Sequence, residues 1–289
     1  MYKIPTMEEM LKAGCHFGHQ AAHWHPHMEP YIYTTRNGVH IIDLKKTQEK
    51  LQKAMEFVSQ TVAAGGDILF VGSKVQALAL IEKAAKEVNM PYAKSRWIGG
   101  TMTNFNAVKK SIDRYLNLLR QRDGGEWDKY TKKERSELQK EIDRLHSMVS
   151  GLATMKSLPK AMFVVDVRTE QSAVKEANVM HVPIVAVCDT NVNPKLIKHV
   201  IPCNDDATRG ISMMLDCMVE AIKDGMKHRK VVPQAVAKSA APAMRKPAPA
   251  ARKAAPAAPK AAVKAVEAAA PVAEAKKPAA KRVTKKAKA

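Results

Sequence analysis

From residue 44 onward the apolar positions switch between two rhythms. Short aliphatic runs, Ile68-Leu-Phe-Val71, Ala161-Met-Phe-Val-Val165, Pro183-Ile-Val-Ala-Val187 and His199-Val-Ile201, alternate with stretches whose apolar residues recur at helical spacing. Strands lose their polar alternation when neither face sees water, so the pattern predicts a parallel sheet covered on both sides, a doubly wound α/β body. Helices are expected over about 75–88, over about 170–179, and from Asn204, read as a cap, to about Lys223; Pro91-Tyr-Ala-Lys94 adds one short strand. Upstream, Thr6-Met-Glu-Glu9 is a capping box opening a helix to about Lys12, and Asp43 caps a helix carrying Leu44, Leu51, Ala54, Met55 and Val58 on one face. Between them Asn37-Gly38, flanked by Tyr31-Ile-Tyr33 and Val39-His-Ile-Ile42, marks a hairpin, because a tight primed turn needs positive φ at both central positions.

The segment from Asn104 to Ser150 is too long for one crossover helix. Val108, Ile112, Tyr115, Leu116 and Leu119 form one narrow apolar stripe; Leu138, Ile142, Leu145 and Val149 form a second. Asp123-Gly-Gly125 separates them and Thr131-Lys-Lys-Glu134 is another capping box, so 104–150 reads as an inserted helical hairpin between body segments 1–103 and 151–230.

Charge changes the picture most at the end of the chain. Residues 231–289 are nearly all Ala, Lys and Pro, with fourteen Lys or Arg against Glu267 and Glu274, so twelve of the chain's twenty net positive charges lie there. Recurrent prolines and the lack of any aromatic residue leave nothing to close a core around, so this stretch is expected to be a disordered cationic tail suited to a polyanion. The body in front of it is basic as well, which leans the molecule toward nucleic acid, although membranes and acidic proteins also attract such tails. No apolar run approaches the roughly 20 residues that span a bilayer, and no secretory signal pattern opens the chain, so a soluble, unsecreted protein is expected. Cys15, Cys188, Cys203 and Cys217 form no CxxC pair, which argues against disulfides and a thiolate zinc site.

Two chemistries compete for the polar motifs. His16, His19, His23, His25 and His27 crowd twelve residues, and together with Asp189, Asp205 and Asp206 they offer imidazole and carboxylate ligands; a metal-dependent α/β enzyme built on His16, His19, Asp189 and Asp205 is therefore the alternative. The spacings match no specific ligand pattern, and histidines beside Trp24 and Arg36 serve equally as nucleic-acid contacts. Gly72-Ser73-Lys74 follows a strand and opens a helix, a place where phosphate is often received, but GxGxxG and GxxxxGK[ST] are both absent. Arg96-Trp97 before Gly99-Gly100 suits stacking on unpaired bases. A chromatin-like protein in which the tail alone matters is a third possibility.

Taken in order, Gly14-Cys-His16-Phe-Gly18-His19, Arg36-Asn-Gly-Val-His40-Ile-Ile-Asp43, Leu69-Phe-Val-Gly72-Ser-Lys74, Arg96-Trp-Ile-Gly-Gly-Thr-Met-Thr103-Asn104-Phe105, Lys175-Glu-Ala-Asn178, Asp189-Thr-Asn191 and Ile201-Pro-Cys-Asn204-Asp-Asp-Ala207 resemble the small ribosomal subunit protein two family in its bacterial form, over about residues 5–225. The resemblance implies a flavodoxin-like body with a protruding coiled-coil hairpin, docked on 16S ribosomal RNA, with a surface for small-subunit protein one. It implies a cytoplasmic, ribosome-bound protein with no catalysis, metal, cofactor, small-molecule substrate or membrane partner. The RNA-facing residues it suggests are His16, His19, His23, Trp24, Arg36, Arg96, Trp97, Thr103, Asn104 and, on the hairpin, Lys109, Lys110, Arg114, Arg122, Lys132 and Lys133. His25-Pro-His27-Met-Glu29-Pro30 departs from the family's more basic loop, and the long tail is not a family feature.

Overall fold

The computed structural model describes residues 2–229; the tail expected over 231–289 lies outside them. The chain begins with α1 (Met7–Lys12), whose capping box forms as expected: Thr6 N donates to Glu9 Oε2 (2.7 Å) and Glu9 N to Thr6 Oγ1 (3.3 Å). Next comes β1 (Phe17–Gln20), inside the histidine-crowded stretch, where the sequence predicts no strand. Its Phe-Gly-His-Gln lacks the β-branched, alternating residues that announce a strand, so it is held by pairing rather than by propensity. β2 (Ile32–Arg36) and β3 (Val39–Ile42) form the expected hairpin, with Asn37 at φ 52° and Gly38 at φ 75°, and the three strands make an antiparallel sheet in the order β1-β3-β2. Asp43 then accepts from Lys45 N (3.0 Å) and opens α2 (Leu44–Ala63).

The rest follows the doubly wound rhythm: β4 (Ile68–Val71), α3 (Val75–Glu87), β5 (Tyr92–Ala93), α4 (Phe105–Asp123), α5 (Lys132–Val149), β6 (Ala161–Val165), α6 (Gln171–Val179), β7 (Ile184–Cys188), β8 (His199–Pro202) and α7 (Thr208–Lys227). One boundary differs from expectation, because Asn204 does not cap the last helix. Its side-chain amide donates to Gly14 O (3.1 Å), its carbonyl oxygen accepts from Asp206 N (2.9 Å), and its backbone N donates to Cys15 O (3.1 Å). Those bonds tie the end of β8 to the N-terminal segment, and the helix starts four residues later.

β4 to β8 pair in parallel in the order β5-β4-β6-β7-β8, which is the 2-1-3-4-5 order of doubly wound sheets. Every residue of β4, β6 and β7 is buried. Alternate side chains feed two separate cores. Phe70, Phe163, Val165, Val185 and Val187 join the apolar faces of α2, α3 and α7, whereas Leu69, Val71, Met162, Val164 and Ala186 join α6 and residues of α4 and α5. At about 1.5–3 kcal/mol for each large aliphatic or aromatic side chain buried, these two layers are the main force fixing the strand order.

α4 and α5 pack on each other through Val108, Ile112, Tyr115, Ile142 and Leu145, with Arg114 Nε 2.7 Å from Glu141 Oε1 and Tyr115 Oη 2.7 Å from His146 Nδ1 across the seam. Thr131 and Glu134 form the second capping box. Just beyond α5, Gly151 runs against β5 so closely that a Cβ there would lie 2.2 Å from Tyr92 O.

Candidate nucleic-acid interface

Parallel strands deliver their C-terminal ends to one side of a sheet, and in this fold class ligands bind beyond those ends. Here the side is crowded with charge. Lys74 follows β4, Asp166 follows β6, Asp189 follows β7 and Asp205 follows β8. Lys74 Nζ lies 2.6 Å from Asp205 Oδ1, 2.7 Å from Asp206 Oδ1 and 3.9 Å from Asp166 Oδ2. Burial works against the ammonium charge, but the bonds to Asp205 and Asp206 outweigh it and raise the Lys74 pKa. Asp205 is almost fully buried, and burial pushes its carboxyl up to about 6 despite the hydrogen bond from Lys74.

The antiparallel sheet lies across these strand ends. His19 N donates to Thr190 Oγ1 (2.9 Å), His25 N donates to Thr190 O (2.8 Å), and Gly18 approaches so closely that a Cβ would meet Thr190 Cγ2 at 2.7 Å. Docking sets the His19 ring with Nδ1 2.9 Å from Asp189 Oδ2 and Nε2 3.9 Å from Asp206 Oδ2, and the bond to Asp189 raises its pKa. His19, Asp189, Asp205 and Asp206 each present a ligand atom, all within 4.8 Å of one another, so this quartet could hold a divalent cation. The geometry corrects the sequence-derived set: the fourth member is Asp206 and not His16, whose ring packs on Phe17 at 4.0 Å.

Beside the cluster lies the crevice between the ends of β4 and β6, the place that doubly wound proteins use for phosphate. It is filled from within. Glu170 is 2 % exposed, and its Oε1 accepts from Ser73 N (2.9 Å) and Ser73 Oγ (2.5 Å) at the entrance to α3. Burial raises the Glu170 pKa, although both Ser73 bonds oppose this. An internal carboxylate therefore takes the donors that a nucleotide phosphate would use, which accounts for a Gly-Ser-Lys turn lacking the other features of a phosphate loop.

The loop from Arg96 to Asn104 is organised by one side chain. Glu176, on α6, accepts from Trp97 Nε1 (3.1 Å), Gly100 N (2.8 Å), Met102 N (3.1 Å) and Thr103 N (3.4 Å). Burial disfavours its charge, but these donors overcome it and hold the pKa below the usual carboxylate value. Trp97 is thereby buried at 9 % exposure in the second core, while Arg96, Thr103 and Asn104 stand exposed on either side of it. Asn104 sits at the N-cap of α4 but makes no side-chain cap bond.

The remaining residues singled out from sequence fall on two further surfaces. His23 and Arg36 are exposed at the antiparallel sheet, and Trp24 is half-buried with its ring 5.2 Å from that of His40. Lys109, Lys110, Arg114 and Arg122 are exposed on α4, and Lys132 and Lys133 on the first turn of α5. Arg114 and Arg122 are engaged with Glu141 and Asp123. The structure thus brings Arg96, Trp97, Thr103 and Asn104 together in one loop and leaves His16 outside the His19 cluster, while Lys109 and Lys110 follow Asn104 on α4 and Lys132 and Lys133 open α5. Glu170, Glu176 and the threefold pairing of Lys74 escaped sequence reasoning, because an acid on a helix looks the same whether it faces water or a loop.

Comparison with known proteins gives these surfaces a context. The family model described as ribosomal protein S2 matches residues 10–225. Among curated relatives, the small ribosomal subunit protein uS2 of Bdellovibrio bacteriovorus is 47% identical over 222 residues, covering 77% of this chain and 71% of its own. The protein of the same name from Roseiflexus castenholzii is 45% identical over 237 residues, covering 82% and 90%, and that from Chloroflexus aggregans is 45% identical over 228, covering 79% and 96%.

Proposed function

The chain belongs to the ribosomal protein S2 family, and from that premise we propose that it is an RNA-binding structural part of the small ribosomal subunit, working in translation by holding 16S ribosomal RNA and neighbouring proteins. The observation that carries this is the match over residues 10–225, which takes in both the doubly wound sheet and α4 with α5. It is not an enzyme, and a metal-dependent hydrolase at the His19 cluster finds no support among the relatives.

Within that function, α4 and α5, spanning the 104–150 segment, act as a projecting coiled-coil arm whose Lys109, Lys110, Arg122, Lys132 and Lys133 meet phosphates. Arg96, Thr103 and Asn104 offer the body's contact, and His16, His19, His23, Trp24 and Arg36 a third one on the antiparallel sheet. Supporting this is the exposure of Arg96, Thr103 and Asn104 on a loop whose backbone Glu176 ties down, and of the arm lysines on helices, so that phosphate contacts order side chains but not backbone. Trp97 contributes by shaping the loop from inside. A docking surface for small-subunit protein one belongs to the same proposal and rests on the family resemblance alone.

The test is sedimentation. The protein is expected to travel with small subunits in low-salt sucrose gradients and to leave them in a high-salt wash, because a protein with six to ten phosphate contacts loses roughly 10³–10⁵ in affinity between 50 and 200 mM salt. Retention independent of salt, or free protein in growing cells, overturns the proposal. Deleting 231–289 is expected to leave incorporation intact while lowering affinity for bulk RNA in proportion to the charge removed; loss of incorporation on deletion shifts the binding function to the tail.

A further inference from the structure

Away from the strand ends, along the outer side of β8, lies a groove of about 790 Å³ bounded by α2 and by the turns at Pro26–Tyr31 and Pro194–Leu196. Its rim is cationic: Lys50 and Lys53, one helical turn apart on α2, join Lys195 and Lys198, against a single lining acid, Glu29. Lys53 is engaged by Glu49 at 2.6 Å, which leaves Lys50, Lys195 and Lys198 as the stronger anion donors. The floor is apolar, made by Tyr31, Ile197, Val200 and prolines.

On one wall, Lys198 Nζ sits 5.5 Å above the Phe57 ring, and Phe57 stacks on His199 at 4.2 Å and 22°. His199 Nε2 is buried without a hydrogen-bond partner. Burial, followed by the charges of Lys198 and Lys50, lowers the pKa of this imidazole. Burial is the main cause, and the charges of Lys198 and Lys50 add to it, so the groove's positive field acts on His199 in the same direction.

We propose that this groove seats a single-stranded stretch of RNA, with phosphates along Lys50, Lys195 and Lys198 and bases or ribose against the Tyr31 and Ile197 floor. The inference rests on the ribosomal function proposed above and adds a fourth contact surface to it, whose lysines no sequence motif marked. Alternating cations and flat apolar surface match the alternation of phosphate and base in an unpaired strand. An acidic peptide would satisfy the lysines but leave the apolar floor uncovered. The volume is in the range of pockets that bury whole ligands, more than an isolated phosphate fills.

The experiment uses the full chain with selectively labelled histidine and a ten-residue oligouridylate as probe. Binding is expected to shift the His199 ring resonances saturably and to raise the imidazole pKa, since phosphates offset the field of Lys198 and Lys50. Lys50→Glu with Lys198→Glu abolishes that shift and lowers the salt slope of RNA affinity by about 1.4, as two lost single-strand phosphate contacts require. Lys50→Gln with Lys198→Gln gives the same slope change without introducing repulsion, and the other histidine resonances report whether either variant stays folded. The cationic tail is common to all samples, so its binding cancels. RNA binding that leaves His199 unmoved overturns the proposal, as does an equal shift with polyglutamate. If the groove fails while the protein still travels with small subunits, this inference falls and the ribosomal function stands; if it does not travel with them, the premise itself falls.

Discussion

Glu176→Ala lowers the stability of the protein by about 3 kcal/mol and its Tm by about 6–12 °C, the largest loss expected from any exposed or half-exposed position. The reason is the number of donors that converge on one carboxylate. Removing it strands the Trp97 indole N–H and the backbone N–H groups of Gly100 and Met102, each at 2.8–3.1 Å from Glu176 at present. An unsatisfied buried donor costs about 1–3 kcal/mol, and the loop recovers part of that only by opening to water. Glu176→Gln keeps one acceptor oxygen and loses the charge, so about half the effect is expected.

The pH dependence follows from the sign of the shift. The folded-state pKa lies below the ordinary value, so the stabilisation is complete above about pH 4.3 and is lost as the pH falls through the folded-state value. The gap between the melting temperatures of wild type and Glu176→Gln is therefore expected to narrow as the pH falls from 7 toward 3. The functional readout moves with them: Arg96, Thr103 and Asn104 lose their fixed positions, and incorporation into subunits falls. A Glu176→Ala protein melting within about 2 °C of wild type at pH 7 would remove the basis for this account.

Gly151→Ala is the second large effect, and its direction is diagnostic. Gly151 is not among the glycines with positive φ, so alanine suits its backbone and by chain entropy alone would stabilise by about 0.4–1 kcal/mol. Space decides otherwise. The added Cβ would meet Tyr92 O at 2.2 Å and two carbons of the Tyr92 ring at 2.6 and 2.7 Å. A backbone carbonyl in a paired strand cannot swing away, so α5 or β5 must move, at a cost of about 3 kcal/mol or more. β5 is a two-residue edge strand and yields first. Hydrogen exchange is expected to quicken at Tyr92, Ala93 and the last turn of α5, with β6 and β7 unaffected. A stabilised Gly151→Ala would show that the arm does not bear on the sheet at that point.

How much of this was legible in the chain differs by element. Ile68–Val71, Ala161–Val165 and the run ending at Val187 declare strands because burial on both faces leaves no polar alternation, whereas their order in the sheet was implied only by the family resemblance. Asn37-Gly38 and both Thr-x-x-Glu boxes signal themselves locally, since their chemistry is completed within four residues. β1 is the opposite case: Phe17-Gly-His-Gln20 becomes a strand only by pairing with β3, and no local pattern shows that. Asn204 looks like a helix cap until the distant Gly14 carbonyl claims its amide, a contact spanning 190 positions. Site chemistry was legible as residue types and not as partnerships. The histidines and aspartates were visible, but that Asp206 and not His16 completes the set around His19 depends on β1 lying across the ends of β7 and β8. Trp97 drew attention as a stacking surface, and its N–H was already committed to Glu176, 79 positions later.

Glu170 has a consequence for how the protein answers to its surroundings. Many sheets of this connectivity report the supply of ATP, flavin or pyridine nucleotide through whatever sits at the first strand-to-helix turn. In this chain that seat travels with the polypeptide, supplied by Glu170 at the N-cap of α6 and retained by Ser73. The scaffold has become its own permanent occupant at that turn, so its shape there is settled once, at folding, and does not rise and fall with metabolite levels.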